Sequence, residues 1–255
     1  MINDILILFL LFIIYSIIGY LVEVCYSYFE TKYFTFNRGF LIGPYIPIFG
    51  VGSIIITLAL TKYSNDILIL FIIGAVLSAM LEYITSVILE KIFKLRWWDY
   101  SKYKFNINGR ICLEVAALFG IGAVVIVKLF NPIFYKVLLL IPQSYIIWIS
   151  IIIFLIFITD FIITVFIMSK IKINFTKYIK VDATSAIKKE ITTSLRKYIY
   201  LISRMLNAFP NIQYIATTPK IRKIPFVSFE INKLKSFKNL INKTKEEVKK
   251  LKRKK

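Results

Sequence analysis

The stretch FNRGFLIGPYIPIFGVG, residues 36–52, decides how the chain is read. It opens an apolar run long enough to cross a membrane. Yet residues 39–52 hold four of the chain's nine glycines, together with Pro44 and Pro47. Both residue types weaken helices, and a bilayer supplies no water to satisfy a broken backbone. Such a span is expected to be a broken one, its freed backbone groups taken up by neighbouring protein, side chains or water. Gly39, Gly43, Gly50 and Gly52 would also let another helix approach closely, which explains the glycines but not the two prolines. The stretch therefore reads as the wall of a cytoplasm-facing polar site, with Arg38 at its lip and intramembrane acids opposite.

The rest of the chain sets that wall in a membrane. Hydrophobic residues make up 58% of the sequence, in runs too long for the core helices of a soluble domain. The N-terminal MINDILILFL has neither a basic leader nor a small-residue cleavage site, so the first run is expected to remain as a span. Five stretches reach membrane length: residues 5–29, 40–60, 67–92, 111–129 and 144–168. A shorter apolar piece, 133–141, lies between Pro132 and Pro142 and reads as an interfacial or re-entrant segment. The fold class is thus an all-α polytopic membrane protein of about five transmembrane helices, one of them broken by Gly and Pro.

Charge divides the chain in two. Residues 1–169, the transmembrane domain, carry 11 Lys/Arg against 9 Asp/Glu, whereas residues 170–255 carry 23 against 5. Basic residues mark the cytoplasmic side of a span. The basic tail and the Lys91, Lys94, Arg96, Lys102, Lys104, Arg110 series then lie inside, and the N-terminus outside. Within the tail, Ile187, Ile191, Leu195, Ile199, Ile202, Leu206 and Phe209 recur at helical spacing, and Leu234, Phe237, Ile241, Val248 and Leu251 repeat the pattern. Basic amphipathic helices beside a bilayer bind anionic lipid headgroups, and a partner-docking helix is the alternative. Nucleic acid is not an expected partner for a segment held at the membrane.

Acids within apolar sequence are the strongest functional signal. A charge near the middle of a span costs about 3 kcal/mol, while an apolar residue there returns only about 0.5 kcal/mol. Glu23, Glu82, Glu90 and Glu114 are therefore read as lining a polar cavity, or as pairing with Arg38, Arg96 and Arg110 to lock helices together. Asp160, alone in the last span, reads as a locking residue. The connection EKIFKLRWWDYSKYKFNINGRICLE, residues 90–114, adds Asp99 between the arginines, and its Trp97, Trp98 and Tyr100 suit the headgroup layer. Its KFNINGR echoes the TFNRG of the first connection, and each follows a span bearing an acid near its end.

Taken together, FNRGFLIGPYIPIFGVG, LEYITSVILEK and RWWDYS…FNINGRICLE resemble the family named "Putative ABC-transporter type IV" (CmpB-like), over residues 5–128. The resemblance implies a bacterial permease in the cytoplasmic membrane. It singles out Glu23, Arg38, Gly39, Gly43, Pro44, Glu82, Glu90, Arg96, Trp97, Trp98, Asp99, Asn106, Gly109, Arg110 and Glu114. The sequence contains no phosphate-binding G-x-x-x-x-G-K-[ST] loop, so ATP hydrolysis would need a separate ATP-binding subunit. With so few spans, a homo-oligomer is a further expectation. No histidine is present, which excludes His-based catalytic triads, and no cysteine cluster has metal-ligand spacing. Neither a metal nor a cofactor is expected. An enzyme acting on lipid headgroups through the three arginines, and a non-catalytic scaffold, are the alternative functions.

Overall fold

A computed structural model describes residues 2–32, 36, 38–93, 95–180, 204, 208, 209, 213, 214, 224 and 225. Helix α1 (Ile2–Thr31) is followed by an irregular segment and then α2 (Pro47–Leu60), which ends in a 3₁₀ turn, Thr61–Tyr63. A short turn leads to α3 (Ile67–Phe93). The second connection holds the two-residue strands β1 (Leu95–Arg96), β2 (Asn106–Ile107) and β3 (Ile111–Cys112). Then come α4 (Leu113–Val125), a π-helical turn (Ile126–Phe130), α5 (Asn131–Leu139) and α6 (Gln143–Lys180). Beyond α6, β4 (Gln213–Tyr214) pairs antiparallel with both β1 and β5 (Ile224–Pro225).

Four helical stretches are long and apolar enough to cross a membrane: Asn3–Phe29, Ile67–Phe93, Leu113–Leu139 and Gln143–Ser169, 27 residues each. At 1.5 Å per residue each is about 40 Å long, against a hydrocarbon core of about 30 Å. The fifth expected span is helical only from Pro47, where proline costs nothing because the first-turn N–H groups have no intrahelical acceptor. One expectation is corrected. Segment 133–141 is no separate interfacial piece, because the helix from Leu113 runs on through Pro132 to Leu139. A π turn at 126–130, in which the Asn131 N–H reaches back to the Ile126 carbonyl, lies directly before Pro132, which has no N–H to donate.

Lipid tails are as apolar as leucine, so helices in a bilayer associate by close packing and hydrogen bonding. Glycine supplies that closeness within each of two hairpins. A methyl group at Gly50 of α2 would overlap the Ser16 hydroxyl and the Phe12 carbonyl of α1; one at Gly19 of α1 would overlap Phe49. In the second hairpin, Gly74 of α3 abuts Ala123 of α4, and Gly120 of α4 abuts the Phe71 carbonyl. Gly52, by contrast, meets only the flexible end of Leu81. Gly50→Val is therefore expected to cost about 1–3 kcal/mol as an overpacking substitution, with Gly52→Val nearly neutral. Heat-induced loss of the monodisperse species in detergent distinguishes the two.

Candidate functional site

The irregular half of the second span occupies residues 38–46. It runs beside the C-terminal half of α1, from Arg38 near Ser27 to Ile46, whose N–H donates to the Ser16 carbonyl at 2.9 Å. Its polar groups have identifiable partners. Asp160 of α6 accepts the Ile42 N–H at 3.0 Å, the Gly43 N–H at 2.7 Å and the Tyr45 hydroxyl at 2.6 Å. Arg204 donates to the Leu41 carbonyl, Tyr20 to the Phe36 carbonyl, and the Tyr45 N–H to Gly43 at 2.9 Å. Gly39, at φ +83°, turns the chain where a side chain would be strained. Asp160 thus does more than join two helices. It replaces the partners that a continuous helix would have given this backbone.

The second connection folds over the end of α3. Strands β2 and β3 form a tight hairpin, with Asn108 and Gly109 both in the left-handed region as the turn requires. This brings Arg110 back onto Glu90 at 2.7 Å, with its guanidinium also donating to the Ser86 hydroxyl at 3.0 Å. Arg96 bridges Glu90 at 3.6 Å and Asp99 at 3.8 Å. The three rings expected at the headgroup layer lie against the helix ends. Trp97 is 2% exposed, packed on Phe40 and Phe93; Trp98 donates to the Arg110 carbonyl at 3.0 Å; Tyr100 reaches down to α3. The hairpin draws 95–100 against the helix ends, which buries Trp97 and half-buries Trp98 and Tyr100.

Glu82 lies at the bottom of this arrangement, 7% exposed. Tyr100 donates its hydroxyl to the carboxylate at 3.0 Å, and no Lys or Arg among the described residues is within ion-pairing distance of it. Burial, followed by the adjacent Glu82 charge, holds the Tyr100 phenol well above its ordinary range, and the field of Glu23 adds to this. Tyr100 therefore stays a donor. Glu23 itself is 4.0 Å from Arg38, which also donates to Ser27 and, at 3.3 Å, to the Ala208 carbonyl. Three arginines thus share their charge with Glu23, Glu90 and Asp99, while Glu82 has the Tyr100 hydroxyl for a partner.

Of the residues singled out from sequence, Glu23, Arg38, Glu82, Glu90, Arg96, Asp99, Tyr100 and Arg110 come together in this way. Glu114 does not: it is exposed in the first turn of α4, where a negative charge suits the helix N-terminus. The echo between the two connections has a structural counterpart. In each, an arginine beside a positive-φ glycine binds a glutamate and a serine one turn apart on the preceding helix: Arg38 with Glu23 and Ser27, Arg110 with Glu90 and Ser86.

Two features were not anticipated. Tyr15 of α1 donates to Asn131 at 2.6 Å, and the Asn131 amide donates to Thr57 of α2 at 3.1 Å, a buried polar lock seated at the π turn. An Asn-Pro pair amid apolar sequence was the signal for it. Arg204 is the other: it lies within the first amphipathic tail segment, yet it is 6% exposed and bonded to the Leu41 carbonyl of the broken span. Most of the two amphipathic tail segments, including all of the second, lies outside the described residues.

Four long apolar helices, with ion-paired and hydrogen-bonded acids among them, define a multi-pass membrane protein. The chain belongs to the family described as "Putative ABC-transporter type IV", whose family model matches residues 10–165. That places it among transport-related membrane proteins. Neither the curated proteins nor the solved structures yielded a match.

Proposed function

We propose that the chain is a permease-like subunit of an ATP-driven transporter in the bacterial cytoplasmic membrane, with its N-terminus outside and its tail inside. Hydrolysis is supplied by a separate ATP-binding subunit, and a second copy or partner completes the pathway. The observation carrying this reading is Glu82, a carboxylate buried among helices and held by Tyr100 while the acids around it are ion-paired. A buried ionisable group in a membrane helix is expensive to keep and marks a path for substrate or ions. Family membership supports the transport class. The lipid-headgroup enzyme has less support, since Arg38, Arg96 and Arg110 are each engaged by carboxylates rather than open to phosphate.

The test is purification of the full chain from its own membranes in mild detergent. An ATP-binding cassette subunit is expected to co-purify with measurable ATPase activity. Glu82→Gln should keep the complex intact while lowering substrate-coupled turnover by at least about tenfold, equivalent to about 1.4 kcal/mol on the barrier. A preparation that retains no ATPase would refute the subunit assignment. Unchanged turnover in Glu82→Gln would remove Glu82 from the path.

A further inference from the structure

The depth of the second connection is fixed by its bonds to α3. Asn108, in the hairpin turn, donates its side-chain amide to the Tyr83 hydroxyl at 3.1 Å, and Tyr100 donates to Glu82 at 3.0 Å. Tyr83 stands well before the end of α3 at Phe93, about 15 Å back along the helix axis. At about 40 Å, α3 exceeds a hydrocarbon core of about 30 Å by about 10 Å in all. Even with that whole excess on the hairpin's side, the Tyr83 backbone lies about 5 Å inside the hydrocarbon. The hairpin turn therefore folds back to the membrane boundary instead of standing off it.

Two large apolar side chains sit at that boundary. Phe105 is 79% exposed and Ile107 55% exposed, with exposed Lys102 and Lys104 beside them. Phe105 holds φ +51°, a conformation costly for an aromatic residue. Asn106 closes the backbone around it, donating to the Tyr103 carbonyl at 2.8 Å and accepting the Gly109 N–H at 3.0 Å, which leaves the Phe105 ring outside. Among the described residues neither lysine has a carboxylate within ion-pairing distance, and nearby Asp99 is held by Arg96 and Ser101. We propose that residues 102–107 form an interfacial lipid site: Phe105 and Ile107 enter the acyl boundary, while Lys102 and Lys104 take the phosphates of anionic headgroups above them. Apolar side chains flanked by lysines bind a bilayer through buried area together with attraction to anionic lipid. The site is separate from Trp97, Trp98 and Tyr100, whose rings lie against the helix ends, and it does not depend on the transport reading.

The test uses the full chain with Cys25→Ser, which leaves the buried Cys112 as the native thiol, and adds Ile107→Cys for a nitroxide label in nanodiscs. Ile84→Cys, on an exposed face of α3, gives the lipid reference, and Lys62→Cys, in the exposed turn after α2, the aqueous one. The label at 107 should meet oxygen as readily as the label at 84, and be shielded several-fold from a water-soluble nickel complex relative to 62. Replacing part of the phosphatidylcholine by phosphatidylglycerol should increase that shielding, and Lys102→Gln with Lys104→Gln should abolish the response. Phe105→Asn suits the left-handed backbone. It should expose the label to nickel while keeping the Tyr100 and Arg110 amides, which donate to the Gly109 and Ile107 carbonyls, protected from exchange. A label at 107 as open to nickel as that at 62, shielding that arises only when another protein co-purifies, or a phosphatidylglycerol response that survives loss of both lysines would each overturn the lipid site.

Discussion

Asp160→Ala is expected to destabilise the protein more than any other single change in α6. The side chain accepts from the Ile42 N–H, the Gly43 N–H and the Tyr45 hydroxyl, and the Thr164 hydroxyl donates to it as well. Truncation strands two amides and a phenol where helix hydrogen bonds are already missing. At about 1–3 kcal/mol per unsatisfied group, and with some relaxation, the loss is about 3–5 kcal/mol. For a domain of this size that lowers the midpoint of thermal unfolding by roughly 10 °C. Asp160→Asn keeps an acceptor oxygen but loses the charge that strengthens these bonds, so it should fall between wild type and alanine. Thermal denaturation followed by the remaining monodisperse fraction checks the order. Equal stability of Asp160→Ala and wild type would mean that the broken segment is held by something else.

Glu90→Ala is the other large effect. Its carboxylate takes Arg110 at 2.7 Å and Arg96 at 3.6 Å, with side chains only 12–21% exposed. Removing one member of a buried ion pair leaves an uncompensated charge and typically costs about 3–5 kcal/mol. Here two guanidiniums are affected, although Arg96 keeps Asp99 and Arg110 keeps Ser86. The hairpin of β2 and β3 is expected to detach from α3, which proteolysis of the 95–112 connection would detect. Exchanging the charges, Glu90→Arg with Arg110→Glu, should recover part of the loss. A double variant no better than either single one would indicate that Glu90 acts through packing rather than through Arg110.

Much of this architecture was legible from residue pattern. Long apolar runs located four full-length helices, and Gly with Pro in residues 39–52 marked the place where a fifth would fail as a helix. The clustering of Glu90, Arg96, Asp99 and Arg110 was readable because acids and arginines so placed within or beside apolar helices need one another. What was hidden depended on distance in three dimensions. Nothing local to Asp160 says that it faces Ile42 and Gly43, some 117 positions away. The inward turn of Trp97 requires knowing where the hairpin lands. The continuation of the fourth helix past Pro132 depends on a π turn, which leaves no composition signal of its own. Arg204 was obscured by its basic neighbours, since a lysine-rich tail gives every cation in it the same solvated reading.

The second span is half helix and half irregular segment, the latter held by Asp160 of α6. Amide hydrogen exchange across residues 38–52 of the full chain in nanodiscs tests it most directly. Ile42, Gly43 and Ile46 are expected to be protected in wild type. In Asp160→Ala, protection should be lost at Ile42 and Gly43 but retained at Ile46, which donates to Ser16 instead. Rapid exchange at all three in wild type, or protection that does not respond to Asp160→Ala, would contradict it.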